Sequence, residues 1–263
     1  MNPSARNKLD KILSDNKSGS TEILLKLIKW SKDYSVDKKA LVKMIDSANK
    51  ELKSFSIVES FTKDFKKIIE GNDKSKILDF LKEQAEGIEN RYSNLFKNSL
   101  TYLKNCKKIV TLSNSKTVIE ILKRLNKKGK IFVTTGESRL QLEGRIMAKE
   151  LLNNKIKVEI APDAFLSNRI EIADAAIIGA DIVLSNGDVV NKIGSRSLAI
   201  TCKYFQKPFY VLATLDKFSK MKKYIPEKKN GNEVWDYNHK QLKRTNYYFE
   251  VVEKELITKV ISD

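Results

Sequence analysis

The sequence predicts an α/β protein in which a doubly wound, mostly parallel, Rossmann-like sheet follows a small all-helical N-terminal domain. Three observations support this. Up to about residue 104, apolar residues recur at three- and four-residue spacing with few β-branched runs, the periodicity of amphipathic helices. After Asn105, short β-rich runs alternate with helical stretches, which is how parallel strands and crossover helices read. A chain of 263 residues, 41% of them hydrophobic, can also fill the cores of one large or two modest domains.

In the helical domain, 1–104, the stripes are Leu24, Leu27 and Ile28; Phe65, Ile68 and Ile69; Ile77, Phe80, Leu81 and Ile88; and Tyr92, Leu95, Phe96, Leu100 and Leu103. Polar breaks at 16–19 and 71–74 separate them, as the tight connections of a bundle would. In the α/β domain, 105–263, strands are expected at 108–112, 130–134, 157–160, 175–178, 209–213 and 247–252. Helices are expected at 116–126, 140–153, 168–173 and 195–205, with a last one starting at Lys254. Ligands of such sheets bind beyond the carboxyl ends of the strands, so the strand-to-helix loops are the segments to search.

Composition excludes several classes of chemistry. Cys106 and Cys202 are the two cysteines and lie in no CxxC pattern, and His239 is the one histidine, which argues against a disulfide scaffold and a His-rich metal centre. No cofactor is expected. The longest apolar stretches, such as 175–180, are too short to span a bilayer, and the N-terminus lacks signal-peptide character, so the expectation is a cytoplasmic protein without a membrane partner. The net charge is +17; residues 101–263 hold 30 basic and 18 acidic residues, so +12 falls there. This reads either as a Lys-rich solvated surface or as a basic patch for phosphates.

Four loops are more polar than strand connection requires: Ser113-Asn114-Ser115, Gly136-Glu137-Ser138-Arg139, Ala161-Pro162-Asp163, and Gly179-Ala180-Asp181 with 186–188 and 191–195. Gly194 and Ser195 open a helix whose free N–H groups can hold an anion beside Asn191 and Lys192, a fit for phosphate. Asp181 ends a buried apolar strand, where partial burial would raise its pKa and let it donate a proton. Plainer readings stand beside these: Ser115 and Ser195 as N-caps, 186–188 as a tight turn, Glu137 and Arg139 as a surface pair.

The stretch Thr135-Gly136-Glu137-Ser138-Arg139 with Glu143-Gly144-Arg145, then Gly179-Ala180-Asp181, Asn186 to Gly194, Lys207 to Val211 and Lys217-Phe218, resembles the initiation factor 2B alpha/beta/delta family. That family also contains methylthioribose-1-phosphate isomerase and ribose-1,5-bisphosphate isomerase. The resemblance implies that Asp181 is the isomerases' acid and that Ser113 stands at their cysteine position, where a hydroxyl is a far weaker acid than a thiol. It also implies ligand-binding roles for Glu137, Arg139, Asn191, Lys192, Gly194 and Ser195, and for Gly19 of Ser18-Gly19-Ser20, which stands where the isomerases carry an Arg-Gly-Ala phosphate clamp. A second family arginine has no counterpart around 53–58.

The leading reading is therefore a noncatalytic regulatory or scaffold member with a sugar-phosphate or nucleotide-phosphate pocket. Its implied partners are a second copy, as a homo-oligomer and first of all a dimer, or related family subunits, with initiation factor 2 a further candidate, and a phosphorylated small molecule. The other reading is an aldose-ketose isomerase of a phosphorylated ribose such as ribose-1,5-bisphosphate, with Asp181 as acid/base and Ser113 in place of the thiol. Nucleic-acid binding through Lys217, Lys220, Lys222, Lys223, Lys228 and Lys229 ranks third, since no interleaved aromatic signature accompanies them in the sequence.

Overall fold

The computed structural model describes residues 1–15, 18–53, 55–71 and 73–263, with Ser56 described by its backbone alone. The breaks expected at 16–19 and 71–74 therefore lie partly outside the described residues, at Asn16, Lys17 and Asn72, as does Ser54 of the segment 53–58. The chain forms two compact units, Met1–Arg91 and Tyr92–Asp263. Among the described residues no helix is long and apolar enough to cross a membrane.

The first unit contains α1 (Pro3–Leu13), α2 (Ser20–Asp33), α3 (Lys38–Glu51), α4 (Ser56–Glu70) and the start of α5 (Lys74–Leu103). Local chemistry sets the helix starts. The side chain of Asn2 accepts from Ala5 N at 2.7 Å with Pro3 behind it, and that of Asp37 accepts from Ala40 N at 2.9 Å. The expected stripes face inward: Leu24, Leu27, Phe65, Ile69 and Leu81 are buried. Phe61, Phe65 and Phe80 stack with centroids 5.2–5.9 Å apart. The Trp30 indole donates to the Ala5 carbonyl at 3.0 Å.

The second unit holds a six-stranded parallel sheet with the order β3-β2-β1-β4-β7-β9. The strands are β1 (Lys108–Thr111), β2 (Phe132–Gly136), β3 (Lys157–Ala161), β4 (Ala175–Gly179), β7 (Phe209–Leu212) and β9 (Lys259–Ile261). The order reverses direction between β1 and β4, the switch point at which open α/β sheets bind ligands. One sheet face packs the end of α5, α6 (Lys116–Lys128) and α7 (Glu143–Asn153) around Ile109, Val133 and Ile177. The other packs α8 (Leu166–Glu171) and α9 (Ser195–Tyr204) around Val110, Ile178 and Val211. A separate antiparallel sheet, β5-β6-β8, joins β5 (Ile182–Val183), β6 (Val189–Lys192) and β8 (Phe249–Val252).

Several expectations are corrected. The helix expected from Lys254 is a single 3-10 turn, Lys254–Leu256, followed by β9, because β-branched Ile257, Thr258, Val260 and Ile261 favour extended chain and pair with β7. The strand expected at 247–252 begins at Phe249 and lies in the small antiparallel sheet, not the parallel one. The strand expected at 130–134 runs from Phe132 to Gly136, since Ile131 N is held by the Asn126 side chain and the ladder starts only at Phe132. The helix expected at 140–153 starts at Glu143, after Leu142 takes a left-handed conformation (φ 60°), and that expected at 168–173 spans Leu166–Glu171. The turn Asn186-Gly187 closes the β5–β6 hairpin.

Gly144 starts α7 so close to the end of β2 that a Cβ would lie 1.8 Å from the Gly136 carbonyl oxygen, a backbone contact that cannot yield. Gly87, inside α5, has nothing within 4 Å of such an atom. Gly144→Ala should therefore lower the urea midpoint sharply or prevent folding. Gly87→Ala should raise stability by about 0.5–1 kcal/mol.

Candidate functional site

The site is built at the carboxyl ends of β1, β2, β4 and β6. Ser113, directly after β1, takes a left-handed conformation (φ 67°), which costs a non-glycine residue about 1–2 kcal/mol. Its N–H donates to the Ser138 hydroxyl at 2.8 Å. The loop after β2 is in turn tied to the loop after β3: the Asp163 carboxylate accepts from Ser138 N at 2.8 Å and from Arg139 N at 2.7 Å. These two amides form a small anion nest, and the protein's own aspartate fills it. The Arg139 side chain is exposed, and Glu137 pairs with Arg145 at 3.0 Å rather than with Arg139.

The helix end expected to hold phosphate is filled in the same manner. Gly194, at φ 99°, is the N-cap of α9; a Cβ there would also press on Leu112 at 3.1 Å. The freed amides of Gly194 and Arg196 donate to one carboxylate oxygen of Glu250 at 2.7 and 2.9 Å. Glu250 reaches them because it is the register partner of Asn191 across β6 and β8. Ser195 is not the cap: its hydroxyl donates to the Lys192 carbonyl and accepts from the Asn191 amide at 2.8 Å, which closes off both side chains. Ser115, by contrast, caps α6 by accepting from Val118 N.

Lys192 is buried at 3% exposure, and its ammonium lies 2.5 Å from Glu143 of α7, itself 7% exposed. The second Glu143 oxygen is buried with no hydrogen-bond partner among the described residues. The Lys192 ammonium also lies 5.0 Å from the Tyr248 ring centroid, and Lys229 lies 5.4 Å from that centroid. Hydrogen bonding to Glu233 and burial push the Tyr248 phenol up to about 12, burial being the larger cause. Asp181 shares this cluster electrostatically. Burial raises its pKa above the ordinary value of 3.8, Lys217 and Lys192 oppose the rise, and the Glu143 charge adds to it. The nearby Tyr224 phenol is likewise raised, by burial first and then by Asp181 and Glu227.

A cavity of about 220 Å³ opens beside this rim, lined by Leu112, Asp163, Gly194 and the α8 and α9 residues Ser167, Ser197 and Thr201. Neither Asp181 nor Lys192 lines it. A larger one, about 530 Å³, lies away from the loops over Val110, Phe132, Thr134 and Arg169; it is apolar and has no link to the acid and lysine. Gly19 is the N-cap of α2, in the first unit. Among the described residues no cluster of His, Cys, Asp and Glu could hold a metal ion. Cys106 and Cys202 are buried; burial raises the Cys106 thiol and pushes the Cys202 thiol up to about 12.

The sequence reading missed the three carboxylates that occupy the rim. Glu143 lies within a quoted motif but carried no role there, Asp163 was a polar loop residue, and Glu250 fell in an expected parallel strand. The one available signal was Glu250 standing in a β run, where a carboxylate needs a partner.

A family model described as the initiation factor 2 subunit family matches residues 21–263. A Pyrococcus furiosus protein named as translation initiation factor eIF-2B subunit 2-like is 46% identical over 111 residues, 42% of this chain and 40% of that one. The methylthioribose-1-phosphate isomerase of Thermosipho africanus is 34% identical over 213 residues, 71% of this chain and 61% of that one. The chain thus spans between two fifths and three fifths of the length of these relatives. Among solved structures, 5-methylthioribose 1-phosphate isomerase from Pyrococcus horikoshii matches with a TM-score of 0.83 at 19% identity, over 98% of this chain and 82% of that one, a likeness of fold.

Two stability measurements probe this geometry. Lys192→Met strands the Glu143 carboxylate in the interior and should cost about 3–5 kcal/mol in denaturant unfolding. Because native Asp181 holds its proton more tightly than the unfolded chain, its contribution to stability falls as pH rises from 3.8 through the raised native value, and the penalty is complete above it. Asp181→Asn should therefore be more stable than the parent at neutral pH. The gap should close on acidification, and the difference between the two pH curves isolates this one group.

Proposed function

The chain belongs to the initiation factor 2 subunit family, and from that premise we propose that it is a noncatalytic regulatory or scaffold member whose ancestral anion cradle is closed by its own carboxylates. The observation that carries this is the buried contact of Lys192 with Glu143 at 2.5 Å. A phosphate dianion approaching that ammonium meets a carboxylate already bound to it, and like charges at such range cost several kcal/mol. Glu250 on the α9 amides and Asp163 on the Ser138 and Arg139 amides repeat the arrangement at the other two anion positions.

At the position where the resemblance puts a reactive cysteine, Ser113 offers a hydroxyl and no neighbouring imidazole. In this reading the protein acts by association with itself or with related subunits. The exposed apolar side chains Phe132, Phe165 and Ile172 on the second unit support such association. A phosphorylated small molecule reaches the Lys192 ammonium only by displacing Glu143 from it.

The isomerase reading has one observation in its favour, the raised pKa of Asp181, which keeps a proton available beside Lys192. Turnover separates the two. Purified protein given ribose-1,5-bisphosphate or methylthioribose-1-phosphate should form no ketose product, and Ser113→Cys should gain none; isomerisation that disappears in Asp181→Asn would overturn the noncatalytic assignment. Glu143→Gln, which frees the lysine, should tighten binding of ribose-1,5-bisphosphate by about tenfold or more in calorimetry. Unchanged affinity in that variant would show that the carboxylate is not what closes the cleft.

A further inference from the structure

Residues 217–245 form a long connection that leaves the 3-10 turn Leu215–Lys217 and contains a second one at Gly231–Glu233, and they carry nine Lys or Arg against three Asp or Glu. Two of the three acids have partners, and the third, Asp236, is exposed. Glu227 pairs with Lys229 at 2.7 Å, and Glu233 accepts from Tyr248, from Gln141 at 3.1 Å and from Asn246 at 3.3 Å. Lys220, Lys222, Lys223, Lys228, Lys240 and Lys243 are exposed and have no carboxylate partner among the described residues. The segment therefore presents an unneutralised positive field.

Within it stands a row of rings. Trp235 is 57% exposed and Tyr237 48% exposed, with centroids 4.7 Å apart and planes inclined at 22°. The His239 imidazole continues the row, 6.4 Å from Tyr237 and nearly parallel at 4°. The row is held from behind by Arg244, whose guanidinium donates to the Trp235 carbonyl at 3.1 Å and to the side chains of Asn232 and Asn238. Gly231 gives that arginine room, since a Cβ there would lie 2.8 Å from the Arg244 Cβ. The backbone that carries the rings is thus pinned before any partner arrives, so less ordering of the chain is needed on binding.

We infer that the Trp235–Tyr237–His239 row, flanked by the free lysines, is a binding surface for single-stranded nucleic acid. Flat rings stack on any base, lysines take the phosphates, and the two together make a sequence-tolerant single-strand site. The core of a protein interface is depleted in lysine, which makes a polyanion the better match for this charge. This surface is separate from the Asp181 cleft and does not rest on the reading of that cleft.

The chain has two tryptophans, and Trp30 is buried, so quenching of indole emission by a single strand reports on Trp235. An oligouridylate of about 12 nucleotides should quench the protein's fluorescence and bind with an affinity that falls steeply with salt. Trp235→Ala should abolish the quench, and both it and Tyr237→Ala should weaken binding of a labelled oligouridylate by about 5- to 100-fold, with unchanged melting temperature. A duplex with the same number of phosphates should bind more weakly. Equal affinity for duplex and single strand, with no effect of Trp235→Ala, would reduce the surface to a generic polycation and overturn the proposal. So would the absence of quenching together with loss of self-association in Trp235→Ala, which would give the row to a second copy of the chain.

Discussion

The ion pair between Lys192 and Glu143 is the constraint around which the second unit's loop rim is arranged. Two charges taken out of water cost several kcal/mol each, so the pair persists only where both groups are delivered to one point with good geometry. Delivery depends on two backbone devices. Gly144 lets α7 start against the carbonyl of Gly136, which sets Glu143 at the mouth of the cleft, and β6 carries Lys192 to the same place from the opposite side. The arrangement leaves a second carboxylate oxygen buried and unpartnered, and its negative charge is one of the causes that raise the pKa of Asp181. Burial is the first cause of that rise, and the Glu143 charge adds to it.

Charge is distributed unevenly over the unit in a way that composition alone does not show. Around the strand ends, three groups that attract anions already have a carboxylate: Glu143 for the ammonium, Glu250 for the α9 amides, Asp163 for the nest at Ser138 and Arg139. These carboxylates satisfy donors that would otherwise be buried or strained, so they stabilise the fold as they neutralise the rim. In the segment from 217 to 245 the opposite holds, and Lys220, Lys222, Lys223, Lys228, Lys240 and Lys243 stay in solvent without a carboxylate partner among the described residues. Of the chain's net charge of +17, nine basic against three acidic residues fall on this irregular segment, away from the neutralised rim.

The fold was legible where burial on both faces leaves its mark. Ala175 to Gly179 and Phe209 to Leu212 read as continuous apolar runs because central parallel strands are covered on each side. The tight turn at 186–188 was legible, but the two-residue β5 and the edge strand β9 were not, since short or edge elements carry little periodicity. For the site, Asp181 could be found from its place after a buried apolar strand, and Asn191 and Lys192 from theirs beside the helix opened by Gly194 and Ser195. Their neutralisation could not, because Glu143, Asp163 and Glu250 lie far from them in sequence and meet them only through register and helix placement. The ring row escaped for a similar reason: alternation at 235, 237 and 239 without a strand or helix has no periodic signature until Arg244 fixes it.

The cysteine question closes on the same physics. Cys106 sits before β1, at the end of the sheet away from the rim, with its thiol directed to the Tyr102 carbonyl, and Cys202 is enclosed in the core against α9's sheet face. Burial raises both thiols, so neither supplies a thiolate near neutral pH. At the rim, the residue in the strained position after β1 is a serine whose backbone is already committed to Ser138. A proton shuttle would need a second group of matched acidity facing Asp181, and the groups that perturb it are the ammoniums of Lys217 and Lys192 and the carboxylate of Glu143. Asp181 in turn acts on the Tyr224 phenol, so the titratable groups that meet it are a phenol, two ammoniums and a carboxylate, with no thiol among them.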